Sequence, residues 1–108
     1  MNATILELNS SNFESQINEG LTLVDFWAPW CGPCRLQGQI IDNLALLVDP
    51  SVTVAKVNVD NDPTIAAGFG VQSIPTLIIF RNGEAIKRFV GVQDQATLTT
   101  ALNEAKAG

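Results

Sequence analysis

No histidine occurs in this chain, and cysteine occurs only at positions 31 and 34. Basic residues are also scarce: six Lys and Arg stand against eleven Asp and Glu, for a net charge of −5. They form no cluster, which excludes the basic footprint needed to bind nucleic acid or an anionic membrane. No apolar run is long enough to cross a bilayer. The opening Met1-Asn2-Ala3-Thr4 has neither the charged start nor the apolar stretch of an export signal, so the expected location is the cytoplasm, normally a reducing compartment. The acidity is expected to serve solubility.

The chain has 108 residues, which suits one domain spanning 1–108 and is too short for two. Its hydrophobic fraction of 46% is that of an ordinary globular core and argues against disorder. Repeats, low-complexity tracts and linkers are absent.

The pattern alternates short strand-like runs with helical ones. Ile5–Leu8 reads as a weak first strand. Ser11-Asn12-Phe13-Glu14 reads as a capping box opening a helix that ends near Gly20. Leu21–Trp27 is a bounded apolar run, hence a buried strand. After Pro33, Leu36, Ile40, Leu44 and Leu47 recur at helical spacing. Val52–Val59 is rich in β-branched residues. Asp60-Asn61-Asp62-Pro63 is turn and helix-start chemistry, leading into a short helix that ends near Gly68 or Gly70. Thr76–Phe80 is a further buried strand, and Asn82-Gly83 a hairpin turn into Ala85–Val90. Gly91 stops that strand. Asp94 caps a last helix carrying Leu98, Ala101, Leu102 and Ala105 on one face. The order predicts a mixed α/β sheet with helices on its faces.

The two cysteines enclose Gly32-Pro33. A structural disulfide gains most from closing a long loop, and this loop is minimal, so the pair reads as reactive. Cys31 follows a predicted strand and opens a predicted helix. Free N–H groups and the positive end of the helix dipole favour thiolate there. Cys34 lies a turn deeper and is expected to be less exposed. Cys31 is therefore expected to attack a substrate disulfide and Cys34 to resolve the mixed disulfide. Half of a zinc site is the competing reading, but tetrahedral zinc takes four ligands and this chain has no third cysteine and no histidine. A cluster shared across a dimer, or two incidental buried cysteines, would also fit the count. No metal is expected.

Asp25 interrupts the apolar run between Val24 and Phe26. A carboxyl buried there resists ionisation and is able to take a proton from Cys34; a solvated strand end is the competing reading.

The stretch Val24-Asp25-Phe26-Trp27-Ala28-Pro29-Trp30-Cys31-Gly32-Pro33-Cys34 resembles the active-site signature of the thioredoxin family. Val54–Asp60 is similar to that family's third strand, Ile74-Pro75-Thr76 to its proline loop, and Phe80-Arg81-Asn82-Gly83 to its hairpin. The resemblance covers essentially the whole chain. It implies a five-stranded mixed sheet in the order 1-3-2-4-5 with about four helices, and a cis Pro75 beside the dithiol. By the same resemblance, backbone at Ile74 pairs with an extended substrate segment. Asp25 is the proton acceptor and Lys56 lies near it. Trp30, Gly32, Pro33, Ile74, Val90, Gly91 and Val92 form a flat apolar contact surface around Cys31, while Trp27 is a core aromatic. The implied activity is reduction of disulfides in target proteins by a monomer. Recharging falls to a thioredoxin reductase, NADPH- or ferredoxin-dependent, because the chain has no nucleotide-binding motif or cofactor of its own. Two other roles are compatible with the fold: a disulfide oxidant or isomerase, against which Gly32-Pro33 speaks, and a non-catalytic clamp on another enzyme.

One departure from the family is Gln39, where many members carry a helix-kinking proline. It restores a backbone donor, and Gly38 before it offers a different place for a bend.

Overall fold

Side chains alternate across a strand, and the central strand β2 (Leu21–Trp27) shows what that does here. Leu21 and Leu23 point into one apolar cluster with Ile41, Leu44, Leu98 and Leu102. Val24 and Phe26 point into another with Phe13, Ile17, Ala66 and Phe80. Both faces of the sheet are thus covered, and the fold is a three-layer α/β/α sandwich. The computed structural model describes residues 5–107; the Met1–Thr4 opening lies outside the described residues.

The elements run β1 (Leu6–Glu7), α1 (Phe13–Ile17), β2, α2 (Gly32–Leu47), β3 (Val52–Asn58), α3 (Pro63–Gly68), β4 (Thr76–Arg81), β5 (Glu84–Val90) and α4 (Gln95–Ala107). The sheet order is β1-β3-β2-β4-β5. β1, β3 and β2 are mutually parallel, while β4 runs antiparallel to both β2 and β5. This is the thioredoxin fold. Helices α2 and α4 cover the face carrying Leu21 and Leu23. On the opposite face Phe13, Phe69 and Phe80 meet in tilted and edge-on pairs with centroids 5.2–5.8 Å apart.

Asn82 and Gly83 both take positive φ, 51° and 87°, as a tight hairpin turn requires. The Asn82 carboxamide accepts the Gly20 N–H at 2.8 Å, and the Asn82 N–H donates to the Gly20 carbonyl at 2.9 Å. That exchange ties the hairpin to the turn entering β2. Asp94 caps α4 by accepting the Thr97 N–H at 2.8 Å. The bond holds its carboxyl below the usual carboxylate range.

Two local expectations are corrected. The capping box at Ser11 does not form, because α1 starts at Phe13 and Asn12 makes no side-chain cap bond into the helix. Instead Asn9 and Asn12 bond reciprocally: Asn9 Oδ1 accepts the Ser11 and Asn12 N–H groups, and Asn12 Oδ1 accepts the Asn9 N–H. Asparagine competes well for such turns. Helix α1 also ends at Ile17, short of Gly20.

The buried stripe of α2 is Cys34, Gln37, Ile41 and Leu44, whereas Leu36 and Leu47 are exposed. The buried stripe shares Leu44 with the periodic one but takes in the polar Gln37, and it keeps Cys34 packed beside Trp27 and Ala28. Helix α2 is continuous through Gly38 and Gln39. A Cβ built at Gly38 meets no atom within 4 Å. Gly38→Ala should therefore raise stability by about 1 kcal/mol, as expected for glycine to alanine inside a helix. A urea midpoint that stays put or falls would show that the glycine serves the helix in another way.

Candidate active site

Cys31 is the N-cap of α2. Strand β2 delivers the chain to this point, and Pro33 within the first turn gives up an N–H that has no helical partner anyway. The Cys34 N–H donates to Cys31 Sγ at 3.2 Å. A backbone donor at a helix N-terminus favours negative charge on that sulfur. Cys31 and Cys34 are joined as a disulfide. Each is 4% exposed, so the expected difference in exposure between them is absent; in the oxidised pair the two sulfurs shield each other. Position separates them instead. Cys31 Sγ lies 3.8 Å from the carbonyl oxygen of Ile74. Cys34 lines a groove shared with Asp25, Trp27, Gly38, Gln39 and Lys56.

Alternation along β2 sets Asp25 on the face that α2 covers, two residues after Leu23. The carboxyl is 2% exposed, and its Oδ1 has no hydrogen-bond partner. Burial pushes its pKa up to about 7, and the positive charge of Lys56 pulls partly against that rise. Lys56 stands opposite Asp25 in the β2–β3 register. Its ammonium sits 4.9 Å from the centre of the Trp27 ring, a cation–π arrangement. Lys56 thus acts on Asp25 through space. Trp27 is half-buried and packs with Ala28 and both cysteines.

Trp30 is 68% exposed, and its indole N–H donates to Asp60 Oδ2 at 3.0 Å. Gly32 and Pro33 are exposed beside it, and Val90 and Val92 are exposed apolar side chains. The Ile74–Pro75 peptide bond is cis, and Pro75 is buried. Ile74 packs against Cys31 and Cys34. The Gly91 N–H donates to the Pro75 carbonyl at 2.8 Å, joining the proline loop to the end of β5. Gly91 takes φ +94°, which a side chain would strain.

Three residues at the site carry no mark in the sequence pattern. Asp60 anchors Trp30. Gln37, wholly buried on α2, bonds to the backbone of Gln93, 56 positions away. No short-range pattern carries either contact. Among the described residues no group of three or more His, Cys, Asp or Glu could hold a metal, and no helix is long and apolar enough to cross a membrane.

A cysteine pair closed into a disulfide at the head of a helix, on a five-stranded α/β/α sandwich, defines the class of thiol–disulfide oxidoreductases. Comparison with known proteins narrows the class. The chain belongs to the thioredoxin family, whose model matches residues 4–104. It is 41% identical over 103 residues to a thioredoxin of Porphyra purpurea, covering 94% of this chain and 96% of that one. It is 46% identical over 97 residues to a thioredoxin of Chlamydia pneumoniae, covering 90% and 94%. Among solved structures, a point mutant of a thioredoxin from Halobacterium salinarum NRC-1 superposes with a TM-score of 0.86 at 29% identity, over 96% of this chain and 93% of that one. The chain is accordingly a protein disulfide reductase.

Proposed function

We propose that the chain carries two electrons at a time to disulfides of target proteins, with Cys31 as attacking sulfur and Cys34 as resolving sulfur. The observation that carries this assignment is the Cys34 N–H aimed at Cys31 Sγ. The Cys31 thiolate attacks one sulfur of the target disulfide, forming a mixed disulfide and releasing the other target sulfur as thiolate. Cys34 then loses its proton to Asp25, through the groove both line, and attacks Cys31 Sγ. The second target sulfur is expelled as thiolate, the two target thiolates take up protons from Asp25 and water, and the Cys31–Cys34 disulfide remains. A pKa near 7 keeps Asp25 ready to accept that proton at neutral pH. Lys56 tunes Asp25 and touches no reacting atom.

The target docks on Trp30, Gly32, Pro33, Val90, Gly91 and Val92, with its extended backbone beside Ile74 and Pro75. The pair needs no bound cofactor. The dithiol is restored by a thioredoxin reductase, NADPH- or ferredoxin-dependent, in the cytoplasm, and the protein works as a monomer.

The reduction potential of the pair tests the direction of electron flow. Equilibration against a thiol buffer, read by Trp27 and Trp30 fluorescence, should give a value below about −250 mV; thioredoxin itself is the reference case at about −270 mV. A value above about −200 mV would reverse the assignment and make the chain an oxidant or isomerase.

A further inference from the structure

Gln37 sits on the face of a helix where apolar residues are the rule. It shares the core-facing stripe of α2 with Cys34, Ile41 and Leu44, and it is wholly buried. Burying a carboxamide is costly unless both of its ends are bonded. Here both ends are bonded, and to one residue. Gln37 Oε1 accepts the Gln93 N–H at 2.7 Å, and Gln37 Nε2 donates to the Gln93 carbonyl at 3.1 Å. The Gln93 side chain in turn donates to the Gly91 carbonyl at 3.3 Å, and the Gly91 N–H reaches the Pro75 carbonyl. A hydrogen-bonded path therefore runs from the helix that carries the dithiol, through the segment bearing Val92, to the proline loop.

We propose that Gln37 is a positioning residue: its carboxamide clamps the Gly91–Gln93 segment to α2 and so fixes the height of Val90 and Val92 beside Cys31. This rests on the docking surface assigned above. The clamp acts on the fit of a large partner. Its hydrogen bonds go to the Gln93 backbone and not to either reacting sulfur, so a small disulfide that needs only Cys31 should not sense it. An apolar replacement would fill the stripe but leave the Gln93 N–H and carbonyl without partners, and the segment would have to shift to recover them.

The test compares a protein disulfide (insulin) with a small aromatic disulfide, using Gln37→Met, which keeps length and volume. KM for insulin should rise about tenfold with kcat within about twofold, while the rate on the small disulfide and the reduction potential stay at wild-type values. An unchanged insulin KM overturns the proposal, as does an equal loss on both substrates or a shifted potential, each of which would mean that Gln37 acts on the dithiol or the fold at large. Should Gln37→Met fail to fold, Gln37→Leu serves. It also removes both bonds to Gln93 and buries no charge, so a rise confined to insulin supports the clamp and no split refutes it. Val92→Asp is measured alongside. If it raises the insulin KM while the Gln37 variants do not, the clamp falls and the docking surface stands; if neither does, both fall.

Discussion

With Cys34 replaced by serine, the protein should accumulate on its targets. Cys31 still attacks, but no sulfur remains to resolve the mixed disulfide. Mixing reduced Cys34→Ser with a disulfide-bonded protein should give a covalent adduct that survives denaturation, disappears on adding dithiothreitol, and forms in near-stoichiometric yield. Turnover should drop by at least about a thousandfold, since nucleophile and resolving group act as one unit. Cys31→Ser should lose as much turnover and form no adduct. The asymmetry between the variants is the decisive measurement, because the two cysteines are equally buried in the disulfide. An adduct on Cys31→Ser with none on Cys34→Ser would exchange the two roles.

Asp25→Asn should have opposite effects on stability and on turnover. In an unfolded chain this carboxyl ionises near 3.8; in the fold it does so near 7. Between those values the native state holds a proton that the unfolded state has lost, so stability falls as pH rises from about 4 to about 7 and then levels. At about 1.4 kcal/mol per pH unit, the full loss is on the order of 4 kcal/mol. Asparagine is neutral throughout and never incurs it. The variant should match the wild type below pH 4 and exceed it by up to that amount above pH 7, read as urea midpoints across the range. The same change removes the proposed proton acceptor for Cys34. In single-turnover kinetics at pH 7, release of the mixed disulfide should slow at least about tenfold while its formation holds. Unaltered release would take Asp25 out of the reaction, and a stability difference independent of pH would show that the carboxyl is not the buried titrating group.

Much of this architecture is legible in the residues because local and global signals agree. The strand runs around Val24, Val54 and Ile78, the Asn82-Gly83 turn and the Asp94 cap each depend on neighbours a few positions away, and each is where the pattern places it. Asp25 stands out because a carboxylate inside an apolar run is an anomaly. The buried face of α2 departs from the periodic one for a physical reason. Counting Leu36, Ile40, Leu44 and Leu47 assumes that apolar residues define the buried stripe, and Gln37 breaks that assumption by being polar and buried together. Its justification lies in Gln93, beyond the reach of any periodicity. The start of α1 is displaced for a related reason: two asparagines satisfy each other and leave the serine signal unused.

The margins of the sheet carry a last consequence. At one side β1 is two residues long. At the other, β5 is mostly exposed and bears Glu84, Lys87 and Arg88. An open strand margin recruits any extended chain and seeds aggregation; brevity and charge both discourage it. A protein that reduces disulfides of other proteins is thereby spared from annealing to their extended segments. Extended segments gain little by annealing to either flank, and in the docking proposed above this leaves the backbone at Ile74, 3.8 Å from Cys31 Sγ, as the place where an encounter is productive.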